Sequence, residues 1–336
     1  MFNVGIIGLG HVASHQISAI ERSSDFQLVA GCDPNLARHA LLDRSVSAYT
    51  DSEEMLKQSD LDVVVVASPN RLHVSHGVQV MAAGLWLFME KPLAETQAEF
   101  DRFARKRQEY AGHCTLALHA AFGQEVEWYC RERNNYKVDI AAVTSFVAEF
   151  YDPYFDNGQL RQRATSFGGS WLDSGINALS VVCRFISPYD LVFCDSRMTR
   201  VKESDDLEVQ GTVDIRFSRL GGRGAGVIEV NWTTGRDKKL TTLGFDCSDR
   251  KLVLDHSAQE VMLRDQGQDQ VLFSCDNGLP RLTNHYVGAF RDLASQMNAG
   301  TDNFGYCQKL HRFLYQAENL SQLISAKTSG PKHQNV

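Results

Sequence analysis

Within its first thirty-three residues the chain changes pattern three times, and the order of those changes restricts the folds open to it. Val4-Gly5-Ile6-Ile7 is a short apolar run, Gly8-Leu9-Gly10-His11-Val12-Ala13 follows without a spacer, His11 to Arg22 reads as a helix, and a second run from Phe26 to Cys32 ends in Asp33. Strand, glycine turn, helix, strand and terminal acid form the βαβ signature of dinucleotide binding, here as G-x-G-x-x-A. Gly8 permits the tight turn, Gly10 lets a pyrophosphate approach the backbone, and Ala13 keeps helix and strand close. The N–H groups and positive end of the helix suit an anion, so Gly8, Gly10, His11 and Val12 are candidate cofactor-binding residues. Asp33 lies twenty residues past Ala13, where a carboxylate can accept from both ribose hydroxyls. That acid favours the free 2′-hydroxyl of NAD. Arg38 is close in sequence and could accommodate a 2′-phosphate, so NADP stays open.

The alternation continues. Asn35 can cap a short helix through Leu42, Tyr49 begins a brief segment, and Asp51-Ser52-Glu53-Glu54 places acids in the first turn of the next helix. Asp62 to Ala67 is a continuous β-branched run without alternation, which predicts a parallel strand buried on both faces. Ser68-Pro69-Asn70 ends it. Ligands of open parallel sheets bind beyond the carboxyl ends of the strands, so Pro69 and Asn70 are candidates for the nicotinamide side. Leu72 to Ala83 reads as a helix closed by Gly84, Leu85 to Met89 as a strand ending in Glu90-Lys91-Pro92, Glu95 to Tyr110 as an amphipathic helix, and Cys114 to Ala120 as a sixth strand. This is a doubly wound α/β domain over residues 1–121.

These residues resemble the glucose–fructose oxidoreductase and inositol dehydrogenase (Gfo/Idh/MocA) family. The resemblance is carried by the Gly8–Ala13 turn, by Ser68-Pro69-Asn70 followed by His73, and by Glu90-Lys91-Pro92, the most specific of the three. It implies an N-terminal Rossmann domain binding NAD or NADP, with Ser68, His73 and Glu90 added to the cofactor-binding set. It also implies chemistry on a hydroxyl or carbonyl of sugars, cyclitols and related compounds. Lys91 then stands beside the reacting oxygen, with a cis peptide before Pro92.

From Phe122 the rhythm changes. Glu125 to Arg133 reads as a helix. Ala141–Tyr151, Val192–Val201, Leu207–Phe217, Gly226–Trp232 and Leu240–Phe245 read as extended segments, separated by turns such as Arg219-Leu220-Gly221-Gly222. Helices resume at Tyr286–Asn298 and Gln308–Ala326. Residues 122–326 are thus predicted to form an α+β domain with a large, mostly antiparallel open sheet. The polar tail 327–336 is expected to fray.

Gly168-Gly169-Ser170-Trp171-Leu172-Asp173-Ser174-Gly175-Ile176-Asn177 is the chemical constellation of this half. On a helix, Asp173 and Asn177 share a face. A carboxylate among Trp171, Leu172, Ile176 and Leu179 can work as a base; a capping aspartate beside a surface asparagine is the plainer alternative. In the resembling family an aspartate is followed, four later, by a histidine. Here that position holds Asn177, which cannot gain or lose a proton. The string from Asp173 to Leu179 is similar to the bacterial L-arabinose and D-galactose 1-dehydrogenases, where an Asp/Asn pair stands in that place. The resemblance therefore implies Lys91, Asp173 and Asn177 as catalytic residues, and oxidation at C1 of an aldose to a lactone. Other candidate readings are oxidation or reduction at another sugar or cyclitol carbon, and a dinucleotide-binding regulator that has lost its chemistry. His119, ending the sixth strand, and Glu149 and Trp232 are candidate sugar contacts; ordinary packing is the competing explanation for each.

Composition narrows the classes. The net charge of −7, with no basic run, argues against a nucleic-acid partner. No apolar stretch is long enough to span a bilayer, and Met1-Phe2-Asn3 has no charged n-region, so no signal peptide and a cytoplasmic location are expected. Cysteines at 32, 114, 130, 183, 194, 247, 275 and 307 contain no C-x-x-C pair and read as reduced core thiols. His73 and His76 lack a third ligand at metal spacing, so no metal site is predicted. The open sheet leaves a face to cover, and the resemblance implies a homodimer or homotetramer through it.

Overall fold

A computed structural model of the chain describes residues 1–136, 138, 142–156, 158–201, 207–219, 222–245 and 249–328, with side chains described as far as 321. Ala141, Leu220, Gly221, Cys247 and positions 329–336 of the predicted tail lie outside the described residues. The chain divides into two compact units, 1–128 with 275–308, and 129–274 with 309–336. A division at residue 121 does not represent the return of 275–308 to the first unit.

The first unit is built around a six-stranded sheet. Its strands and helices are β1 Phe2–Ile7, α1 Ala13–Glu21, β2 Phe26–Cys32, β3 Ser47–Tyr49, α2 Ser52–Gln58, β4 Val63–Val66, α3 Asn70–Ala82, β5 Trp86–Glu90, α4 Gln97–Tyr110 and β6 Cys114–Ala117, with α5 at Gln124–Glu132. The order β3-β2-β1-β4-β5-β6 is parallel throughout. β4 is buried at every position, as its unbroken valine run requires. Asp51 caps α2 by accepting from Glu54 N, and Thr96 caps α4 by accepting from Glu99 N.

Two expectations change here. The sixth strand stops at Ala117, because Leu118 N turns back to Leu116 O at 2.9 Å; His119 sits in the 3₁₀ turn His119–Phe122. The late helix α7, Arg281–Ala299, belongs to this unit. Its Tyr286, Ala289, Phe290 and Leu293 complete the apolar core with Ile6, Phe26 and Phe88.

In the second unit β7 Val143–Tyr151 leads to the short pair β8 Phe155–Asp156 and β9 Gln159–Leu160. Then come α6 Ile176–Val182, β10 Leu191–Val201, β11 Leu207–Arg219, β12 Gly222–Asn231, β13 Lys238–Phe245, β14 Lys251–Asp255, β15 Glu260–Asp265 and β16 Gln268–Ser274; α8 is Phe304–Thr328. Eight strands form one sheet in the order β10-β11-β12-β7-β13-β14-β15-β16, antiparallel except between β7 and β12. The predicted combination of a doubly wound parallel sheet with an antiparallel α+β unit is the observed fold. β14, β15 and β16 were not among the predicted strands.

Along β7, Phe146, Ala148 and Phe150 are buried on one face, which α6 covers. Val147 on the other face is 41% exposed. The predicted helix around Asp173 is in two parts: a π-turn, Trp171–Gly175, and then α6. A Cβ on Gly175 would lie 2.6 Å from the Trp171 ring, so the indole can pack back over the turn only because residue 175 is glycine.

Candidate active site

The glycine turn of the first unit has the shape a dinucleotide needs. Gly8 has φ +95°, and a Cβ there would strike Ala67 O and Ser68 N at 2.6 Å. Around Gly10 only Arg38 Nη1 comes near, 3.4 Å from the place of a Cβ, so the backbone is open to a ligand. Val12 offers α1 no side-chain cap and no acid lies in its first turn, which leaves the positive end to an anion. His11 is exposed at this edge and Ala13 is buried beneath it.

Asp33, at the end of β2, is 5% exposed. Its Oδ2 accepts from Leu9 N at 3.0 Å, its Oδ1 accepts from Asn35 N at 2.9 Å, and Arg38 Nη1 stands 3.5 Å from Oδ2. The acid thus ties the glycine turn to β2. Glycine cradle, uncapped helix end and strand-end acid together fit an NAD-type cofactor, with Gly8, Gly10, His11, Val12, Asp33 and Arg38 as the residues that would hold it.

Ser68, Pro69 and Asn70 lie where β4 passes into α3, as predicted. His73 has a different environment from the one expected of a ligand contact. Its ring is 1% exposed, with Nδ1 2.6 Å from Pro92 O and Nε2 2.8 Å from Ser68 O. It ties the end of β4 to the loop after β5. Burial pushes its pKa down to about 4, against the two carbonyls, which favour the proton. His76 is taken up locally, Nδ1 lying 2.9 Å from Ser68 Oγ.

Glu90 is likewise an internal tie. Its Oε1 accepts from Gln16 Nε2 at 2.7 Å and from Tyr286 Oη at 2.5 Å, and its Oε2 accepts from Lys91 N at 3.2 Å. Burial pushes its carboxyl pKa up, while Tyr286 and the nearby Lys91 charge pull the other way. Lys91, half-buried, follows at the carboxyl edge of the sheet, and the Lys91–Pro92 peptide is cis. His119 is 7% exposed, with Nδ1 3.3 Å from His285 Nδ1 and its ring against Tyr286.

In the second unit, Asp173 occupies the π-turn. Its N–H donates to Gly169 O at 3.0 Å, and Asn177 Nδ2 donates to Asp173 O at 3.2 Å. Asn177 Oδ1 is buried without a hydrogen-bond partner, so this amide holds one acceptor in reserve. The turn is braced by Ser174, whose Oγ donates to Asp152 Oδ2 at 2.6 Å and accepts from Trp232 Nε1 at 3.0 Å. Trp232 is fully buried and supports the turn rather than offering a face to a ligand. Tyr154 packs edge-on against Trp232 and lies under Arg163. Burial raises the Tyr154 hydroxyl pKa, and Asp173 and Asp152 raise it further.

Glu149 is not in this group. It lies on the other face of β7 from Phe146, Ala148 and Phe150, where it pairs with Lys238 Nζ and accepts from Tyr151 Oη at 3.2 Å. Strand alternation explains the miss: an odd-numbered neighbour of buried even positions must face outward. Asp152, Tyr154, Arg163 and Ser174 were not predicted; the dense acid–aromatic string Tyr151-Asp152-Pro153-Tyr154-Phe155 was the available signal.

Residues 2–117 match the model of an oxidoreductase family with an NAD-binding Rossmann fold, Gfo/Idh/MocA. Among curated relatives, the rhizopine catabolism protein MocA of Rhizobium meliloti is 27% identical over 179 residues, covering 52% of this chain and 54% of that protein. The D-glucoside 3-dehydrogenase of Escherichia coli (strain K12) is 39% identical over 180 residues, 52% of this chain and 51% of that protein. The chain thus spans about half the length of these relatives. A 3-ketoreductase from Actinomadura kijaniata, solved with NADP and TDP-benzene, shares the fold. Its TM-score is 0.76 at 16% identity, over 96% of this chain and 97% of that one. Among the described residues no helix is long and apolar enough to cross a membrane.

Proposed function

We propose that the protein is an NAD(P)-dependent oxidoreductase acting on a hydroxyl-bearing carbon of a sugar or cyclitol. The observation that carries this is Lys91: a cation at the carboxyl edge of a parallel sheet with a glycine cradle, directly after a buried Glu90 that fixes the loop. When bound, the nicotinamide accepts or supplies the hydride. Lys91 stabilises negative charge on the substrate oxygen. Asp173 takes the hydroxyl proton on oxidation and returns it on reduction. Asn177 orients a hydroxyl through its amide, with no share in proton transfer.

For the substrate position, the Asp173/Asn177 pair favours C1 of an aldose, giving a lactone. The 39% identity to a D-glucoside 3-dehydrogenase favours a second reading, oxidation at C3. Glycosides blocked at C1 separate the two: a C1 dehydrogenase leaves them untouched and a C3 dehydrogenase oxidises them. Free aldoses and methyl glycosides, offered with NAD and with NADP and followed at the reduced-nicotinamide absorbance band, make the assay. Asp173→Asn and Lys91→Met should each cut kcat by roughly a hundredfold or more, the usual scale for general-base or oxyanion loss, with little change in cofactor affinity. Unaltered turnover in both would defeat the assignment. We further propose that the open face of the eight-stranded sheet joins subunits into a dimer or tetramer, a mass that light scattering on the purified protein reads directly.

A further inference from the structure

We infer that Glu208, a buried side chain on β11, positions the turn that carries Asp173. This rests on the reading of Asp173 as the proton acceptor.

The turn begins at Gly168 and Gly169, with φ +80° and +108°. The second value is closed to residues with a side chain. A Cβ on Gly169 would also lie 3.1 Å from Glu208 O and 3.2 Å from Glu208 Oε2. The bare glycine therefore lets the loop settle directly on β11 at Glu208. There the carboxylate takes the first two donors of the turn: Ser170 Oγ donates to Oε1 at 2.7 Å and Trp171 N donates to Oε2 at 2.6 Å. Ser170, at the N-cap position, makes no capping bond with its own side chain. Glu208 does that work from a distant strand, and its negative charge faces the positive start of the helical segment. The next link is Asp173 itself, whose N–H donates to Gly169 O. With Ser174 held by Asp152 and Trp232, the turn is fixed on both sides of Asp173.

Glu208 is 4% exposed, and burial pushes its pKa up to about 7, against the pull of Ser170, Trp171 N and Arg200. Charged and titratable groups face it from two packed elements. Arg200 is its register partner on β10, Glu318 on α8 is bonded to Arg200 at 2.9 Å and adds to the upward push, and Tyr315 on α8 lines the same cavity. That cavity, of about 10 Å³, also touches Leu172 and Met198 and is about the size of one water. Ionised, Glu208 accepts from both donors. Protonated, one oxygen becomes a donor, Ser170 must accept instead, and the attraction between charge and helix start is gone. The raised pKa shows that the cost of burying the charge outweighs these losses, so the closed turn binds the proton more tightly than an opened, solvated one, and the Asp173 turn is held more firmly below neutral pH than above it.

The test is amide hydrogen exchange of residues 168–177 at pH 6 and pH 8, corrected for intrinsic rates, in the wild-type protein and in Glu208→Gln, Glu208→Asp and Asp173→Asn. Wild type should exchange faster at pH 8 than at pH 6 by roughly tenfold, because the raised carboxyl pKa favours the closed turn only while Glu208 is protonated. Glu208→Gln should abolish the pH difference, Glu208→Asp should loosen the turn at both pH values, and Asp173→Asn should keep the wild-type difference. In turnover, Glu208→Gln should lower kcat with KM nearly unchanged. A Glu208→Asp protein whose residues 168–177 exchange at the wild-type rate overturns the inference, even if Glu208→Gln fails to fold. The exchange readout needs no substrate, so failure to find a sugar that turns over would count against the function and leave this result standing.

Discussion

The Tyr286 hydroxyl donates to Glu90 Oε1 at 2.5 Å, joining residues 196 positions apart. Both side chains are buried, and burial with the Glu90 charge holds the Tyr286 hydroxyl pKa well above its ordinary value. Tyr286→Phe leaves the carboxyl one donor short in a place water does not reach. It should destabilise the protein by about 1–3 kcal/mol, read from urea unfolding, and lower kcat through the loop that carries Lys91. Unchanged stability and rate would show that Gln16 alone suffices.

His73 makes stability depend on acid. The unfolded ring titrates at its ordinary 6.5 and the folded one at about 4. Between those values the unfolded chain binds more protons, so stability rises with pH across the window and is lost as pH falls from about 6.5 toward 4. The full effect is about 3 kcal/mol. His73→Gln should flatten that part of the stability–pH curve; an unaltered slope would place the acid sensitivity elsewhere.

Arg38 should decide how well NADP is used. Its guanidinium stands over Gly10 and 3.5 Å from Asp33, half-exposed, while both Asp33 oxygens serve backbone N–H groups. Arg38→Ala should raise KM for NADP roughly tenfold or more, from the ~1.5–3 kcal/mol of a charged hydrogen bond, and barely touch KM for NAD. Equal effects on both cofactors would assign Arg38 to the shared pyrophosphate or to the fold.

Two glycines with positive φ should differ sharply on substitution. Gly8→Ala drives a methyl into Ala67 O and Ser68 N and should cost about 3 kcal/mol together with NAD binding. Gly84→Ala, at φ +74° with nothing within 4 Å, should cost about 1 kcal/mol and leave NAD binding intact. Thermal melts with and without NAD compare them; similar losses at both would mean backbone strain, not the close approach, limits Gly8.

What could be read from the chain was local. The valines of β4, the capping Asp51 and the glycine turn each declare themselves within a few residues. What could not be read was set by distant partners. The strand β16 has no buried position despite its Val271-Leu272-Phe273 run and exists by pairing with β15; only Gln266-Gly267, both at positive φ, marks the hairpin. Glu90 and His73 belong to motifs, yet their polar atoms turn inward, and nothing near them in sequence names Tyr286 or Pro92 as partners. Glu149 and Trp232 had suitable chemistry for sugar contacts, but alternation along β7 and complete burial, respectively, gave them other duties. Glu208 had no signal at all, since its two donors sit on a loop 37 and 38 residues earlier.

The position of α7 late in the chain has a consequence for biosynthesis. Tyr286, Phe290 and Leu293 close the core of the amino-terminal unit, so a nascent chain halted anywhere before them exposes Phe26 and Phe88 and leaves the Glu90 carboxyl without its tyrosine. Most of the polypeptide must leave the ribosome before the unit synthesised first can finish folding. Chaperones therefore have their longest task at the end that is made earliest.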